Sequence, residues 1–127
     1  MKNPDFLFYL NQKYENNDGE IQKRIAVIDD FEAFLNEKRI PSIEDAADRE
    51  MEEYCRFLNL DSKEAAYDSY LVLGEYGEVC RNEDLMLLMV YFISAVGDVD
   101  AYLGRLKEVN LGVWEKISWS RFFGDER

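Results

Sequence analysis

Histidine is missing from this chain altogether, cysteine and proline occur twice each, glycine occurs seven times, and acids outnumber bases 27 to 15. Each shortage excludes something. Without an imidazole there is no readable base for a cysteine or serine nucleophile, and no Glu-x-x-His pair of the kind that builds di-iron bundles. Cys55 and Cys80 form no CxxC motif and fall on apolar helical faces, which predicts buried, reduced thiols in an intracellular protein. Few prolines and glycines beside 33% charged residues favour helices joined by short turns. Gly74 and Gly77 lie inside a helical pattern with no strand ahead of them, so no phosphate-cradling loop is present. No apolar run approaches the roughly 20 residues that cross a bilayer. The opening Met1-Lys2-Asn3-Pro4-Asp5 lacks the features of a secretory signal, so the expectation is a cytoplasmic protein with no membrane partner.

The charge that is present has one sign and one place. Net charge is −12, and residues 29–84 hold 17 acids and 6 bases, net −11, leaving 10 acids and 9 bases elsewhere. Such a field repels phosphate backbones and argues against nucleic acid as a partner. It supports solubility. It also suits a docking face for a basic protein or an acidic mimic of nucleic acid.

A chain of 127 residues with 47% hydrophobic residues fits one domain with one core, here a single helical domain over residues 1–127. The longest apolar stretch, Leu85–Val96, has Ser94 as its only plainly polar member. A helix that is apolar all round is a buried helix, and this one spans roughly 18 Å. The expected fold is therefore an all-α bundle of six or seven helices around a central buried helix at about 85–96.

Asn3-Pro4-Asp5 is a helix start, and the first helix runs through Tyr14 to the turn cluster Asn16-Asn17-Asp18-Gly19. Its apolar residues point in most directions, so one face is expected to meet something beyond the local core. A second helix, about Glu20–Lys38, carries Ile21, Ile25, Ile28, Phe31 and Leu35 at amphipathic spacing and ends before Pro41. Ser42 and Asp45 have the spacing of a capping box for a third helix with Ile43, Ala46, Ala47, Met51, Tyr54 and Leu58 as its stripe. Asp61-Ser62-Lys63-Glu64 opens a fourth, with Ala66, Tyr70, Leu73 and Cys80 inward. Gly74 and Gly77 there predict close packing against the central helix. Asn82 caps the central helix, a sixth helix covers about Val99–Val109, and a last aromatic one about Val113–Phe123.

Residues 20–84 resemble the N-terminal core-binding, SAM-like helical domain of phage integrases and other tyrosine recombinases. The likeness rests on Ile28-Asp29-Asp30-Phe31-Glu32-Ala33-Phe34-Leu35, the break Arg39-Ile40-Pro41-Ser42-Ile43, Met51-Glu52-Glu53-Tyr54-Cys55-Arg56-Phe57-Leu58 and Ser62-Lys63-Glu64-Ala65. It implies a helical fold and, as an alternative function, a nucleic-acid-associated domain. The catalytic domain of that family has no counterpart here, so no catalytic residue carries over. The family's DNA-facing helices are basic where this chain is most acidic.

Three carboxylates, Glu44, Asp48 and Glu52, follow one another at four-residue spacing and form an acidic helical face. They do not converge as oxygen ligands of a cation must, so the expectation is a solvated face, with no metal and no cofactor. Tyr54, Tyr67, Tyr70, Tyr76 and Tyr91 sit at core spacings, and no catalytic residue is assigned. In the final segment Leu111, Val113, Trp114, Ile117, Trp119, Phe122 and Phe123 cover well over half a helical wheel, beyond the roughly 100° stripe that a surface helix buries. Trp114, Trp119, Phe122 and Phe123 are therefore the interface candidates. The expected function is a non-catalytic protein-protein interaction module, self-associating as a homodimer or bound to another protein, possibly a basic one.

Overall fold

Asparagine starts three of the helices in the computed structural model, which describes residues 3–59, 63–94 and 99–109. Asn3 accepts from the backbone N–H groups of Asp5 and Phe6 and opens α1, Pro4–Lys13, with Pro4 as its first helical residue. Asn17 accepts from the Glu20 N–H and opens α2, Asp18–Glu37. The second helix thus begins inside the expected turn cluster, because Asn17 serves as the cap and Asp18 joins the first turn, where an acid complements the helix dipole. Asn82 accepts from the Leu85 N–H and opens α5, Glu83–Ile93.

Two helices end alike. The Ile40 N–H bonds back to the Leu35 carbonyl and the Asn82 N–H to the Gly77 carbonyl, the long closing bond of a Schellman turn. Arg39 and Arg81 take the left-handed position that glycine usually fills, with φ of 64° and 59°.

The expected third helix is divided. Ile43–Asp45 forms one 3-10 turn, Ala46 is extended, and α3 runs Asp48–Asn59. Ser42 donates its hydroxyl to the Asp45 carboxylate at 2.7 Å instead of accepting an N–H from the backbone. The capping contact belongs one step on, where the Ala47 N–H donates to the Glu50 carboxylate at 3.4 Å. The short turn drives Ile43 fully into the core.

Helix α4 is Lys63–Val79 and α6 is Val99–Val109, the latter with the bounds that the sequence predicts. Among the described residues the architecture is all helical, as expected. Among the apolar and aromatic residues of α5 only Tyr91 is exposed, at 68%, and it is not the core residue that its spacing predicts. Helix α5 shares the centre with α4, every residue of which is buried from 72 to 78, and which packs on α1, α2, α3, α5 and α6. The turn between α4 and α5 brings the two very close. A Cβ on Gly77 would stand 2.9 Å from Met86 Cγ and 3.1 Å from the Asn82 carbonyl, so only glycine fits there. Leu85, Met86, Met89 and Ile93 of α5 meet Tyr70, Leu73 and Tyr76 of α4 in one hydrophobic cluster. Among the described residues no helix is long and apolar enough to cross a membrane. The expected aromatic helix at Val113–Phe123, with Trp114, Trp119, Phe122 and Phe123, lies outside the described residues.

Candidate functional site

Two regions on α2 concentrate chemistry. The first is buried. Arg24 falls on the strict three-four stripe Ile21, Arg24, Ile28, Phe31, Leu35, so the helix turns a guanidinium inward, 6% exposed. It meets Glu75 of α4, itself 3% exposed, through Nε to Oε1 at 2.8 Å. Its Nη1 donates to the Glu20 carboxylate and, at 3.2 Å, to the Glu20 carbonyl. The other Glu75 oxygen accepts from the hydroxyls of Tyr9, at 2.6 Å, and Tyr14. The Arg24 guanidinium also lies 4.0 Å from the centre of the Tyr14 ring. Burial, reinforced by the hydrogen bond to Glu75, pushes the Tyr14 phenol up to about 12 and Tyr9 well above the ordinary tyrosine value. Desolvation works against the charge on Arg24, but Glu20 and Glu75 outweigh it and hold the guanidinium charged. Every strong polar group here has a partner, and the whole pins α1 to α2 and α4.

The second region is open. On α2, Asp30, Ala33, Phe34 and Glu37 share one face at spacings of three and four, and on α3 Tyr54, Phe57 and Leu58 do the same. The two faces line a groove of about 410 Å³. Its wall is a chain of rings. Phe31 stacks on Tyr54 with centroids 4.6 Å apart, Phe34 lies 5.1 Å from Tyr54, and Phe57 lies 5.9 Å from Phe34. The series runs from the buried Phe31 out to Phe57, which is 55% exposed. Lys38 stands at one edge with Nζ 5.1 Å from the centre of the Phe34 ring and 2.7 Å from a Glu53 oxygen. Asp30 and Glu37, both exposed, make no ion pair with any described residue. Tyr54 is only 3% exposed and lines the groove, yet no described residue hydrogen-bonds its hydroxyl. Desolvation first, then the Asp30 carboxylate, raises that phenol, so it stays a neutral hydroxyl.

The acidic face expected at Glu44, Asp48 and Glu52 is not one helical ridge. Glu44 sits in the 3-10 turn, where it accepts from the Tyr76 hydroxyl and from Asn3 Nδ2 at 3.0 Å. Asp48 begins α3. Glu52 pairs along α3 with Arg56 at 3.0 Å. Among the described residues no group of three or more Cys, Asp and Glu side chains is placed to hold a metal ion. A second concavity, lined by Glu44, Cys80, Arg81, Asn82, Glu83 and Asp84, sits over the α4–α5 turn and shares Glu44 with the Tyr76 contact. Burial pushes both thiols, Cys55 and Cys80, up to about 12, the opposite of what activates a nucleophile.

The sequence does not point to Arg24, Glu75 or the groove. Arg24 had a signal, its place midway between Ile21 and Ile28. Phe34 and Phe57 lie in two of the four segments that carry the recombinase resemblance, but there they read as packing anchors. Comparison with protein-family models, with curated proteins and with solved structures finds no match to this chain, so that resemblance rests on sequence pattern alone.

Proposed function

We propose that this chain is a non-catalytic protein-interaction module whose binding surface is the groove between α2 and α3. One observation carries this: the groove keeps an aromatic wall that opens at Phe57, two carboxylates and a tyrosine hydroxyl with no ion-pair or hydrogen-bond partner among the described residues, while the equivalent groups around Arg24 are engaged. Groups left in that state at a surface are the ones that a partner's side chains satisfy. Free Cys55 and Cys80 support the expectation of a reducing compartment such as the cytoplasm. A second copy of the chain is the competing partner. It is favoured by Phe8 on the outer side of α1, 64% exposed beside the exposed Leu7, together with the aromatic candidates Trp114, Trp119, Phe122 and Phe123.

A photo-crosslinking residue at Ala33, in the groove, tests the role against the same residue at the exposed Ala26 on α2. Irradiation in cells of the source is expected to give a discrete adduct from Ala33 alone. An adduct at twice the 15.0 kDa chain mass identifies a homodimer, and any other discrete mass a different protein. Equal labelling from both positions, or none from Ala33, overturns the role.

A further inference from the structure

We infer that the partner segment seated in the α2–α3 groove is basic, with arginine side chains bound to Asp30 and Glu37 on either side of an apolar residue that rests on Phe34 and Phe57. This rests on the interaction role proposed above and adds the chemistry of the partner. The first support is charge. The two rim carboxylates have no cation among the described residues, and they belong to the segment, residues 29–84, that holds 17 acids and 6 bases. A surface of that sign draws basic segments toward it and rejects phosphate backbones.

The second support is Tyr54. A nearly buried phenol that lines the groove and whose oxygen has no hydrogen-bond partner among the described residues is an acceptor for an N–H from outside. The third is a precedent within the fold. Around Arg24 the same kinds of side chain, an aromatic ring and two carboxylates, hold a guanidinium over the ring and between the acids. Lys38, already placed over Phe34, shows that this ring too accepts a cation at its face.

Arginine fits better than lysine. Its planar guanidinium stacks on a ring while donating two parallel hydrogen bonds to a carboxylate, and it is more weakly hydrated than an ammonium. Asp30 and Glu37 are seven residues apart on α2, about 10 Å along the axis, so each takes its own arginine. Ala33 and Phe34 lie between them and leave room for the apolar side chain.

The test uses the full chain and a fluorescein-labelled peptide with Arg-Leu-Arg in a glycine–serine background, beside the same peptide with lysine or with glutamate for arginine. Fluorescence anisotropy is expected to order the affinities arginine, lysine, glutamate, the last without binding. Asp30→Asn combined with Glu37→Gln is expected to weaken the arginine peptide about tenfold or more, the loss of charge-assisted hydrogen bonds. Glu15→Gln combined with Asp68→Asn removes the same charge from exposed sites elsewhere and is expected to leave binding within about twofold. Equal weakening by both pairs means attraction to net charge alone and overturns the inference, as does absence of binding to the native chain. Circular dichroism of each variant keeps a folding defect from counting as lost binding. A crosslinked adduct at Ala33 that the arginine peptide does not compete away would leave the interaction role standing with a partner of other chemistry. Competition supports both.

Discussion

Helix α2 carries two clusters made from the same kinds of side chain, and they differ in how their carboxylates are paired: Arg24 engages those of the first, while Asp30 and Glu37 in the second make no ion pair among the described residues. Near its start, Arg24 closes on Glu20, Glu75, Tyr9 and Tyr14. Near its end, Asp30, Glu37, Phe34, Tyr54 and Phe57 make an open groove with Lys38 turned to Glu53 at the edge. The closed cluster fastens three helices together. The open one is anchored to the core by Tyr54, stacked on Phe31, but keeps Asp30, Glu37 and Phe57 exposed. On the reading proposed above, the comparison teaches that such a cluster fastens the fold when its last partner lies within the chain and is left to bind a partner when it does not.

The largest effect that sharpens this contrast is on the closed side. Glu75→Leu leaves a buried guanidinium half paired and two phenols without their acceptor, and is expected to destabilise by about 3–5 kcal/mol in urea unfolding. Adding Arg24→Met is expected to recover part of that, since the stranded charge is gone. A loss below about 1 kcal/mol for Glu75→Leu would mean that the cluster does not fasten the helices. Next, Tyr14→Phe removes one hydrogen bond to a charged acceptor while keeping the ring face over Arg24, an expected cost of about 1.5–3 kcal/mol.

Alkaline pH acts on the phenols of the closed cluster and on the two thiols. Cys55 and Cys80 rise from 9.0 to about 12 in the folded chain and Tyr14 from 10.0 to about 12, with Tyr9 raised as well. The native state therefore keeps protons that the unfolded chain has already released. Stability is full below about pH 9 and falls progressively as the pH rises toward 12, so Tm should drop across that window. Replacing both Tyr9 and Tyr14 by phenylalanine should flatten part of the fall. An unchanged slope would show that these phenols do not titrate as buried groups. The smallest stability effect belongs to the open side. Phe57→Ser, at an exposed position, is expected to shift stability by about 0.5 kcal/mol or less while removing the outer wall of the groove.

Much of the fold was legible because capping and periodicity are local. Asn3, Asn82 and the bounds of α6 needed only short-range chemistry, and Gly77 marked the close approach of α4 to α5 as expected. Ser42 and Asp45 misled because the same three-residue spacing serves a single tight turn as well as a helix start, and here the turn buries Ile43. Arg24 and Glu75 were hidden for another reason. A charged side chain on an apolar stripe reads as outward unless its partner is known, and Glu75 is 51 residues away. The groove was hidden too: Phe34 and Phe57 have the residue types of a core, and only the packing of α2 against α3 leaves them open.

One titration compares the two clusters in a single sample. The full chain, labelled for NMR at the arginine Nε and the aromatic rings, is titrated with N-acetyl-arginine amide against the lysine analogue at matched ionic strength. The expected result is movement of the Phe34, Tyr54 and Phe57 ring signals with the arginine ligand while Arg24 Nε and the Tyr14 ring stay in place, because the closed cluster has no vacancy for a second guanidinium. Rings in the groove that stay still, or Arg24 signals that move as far as theirs, would contradict the distinction between a cluster completed from within and one completed by a partner.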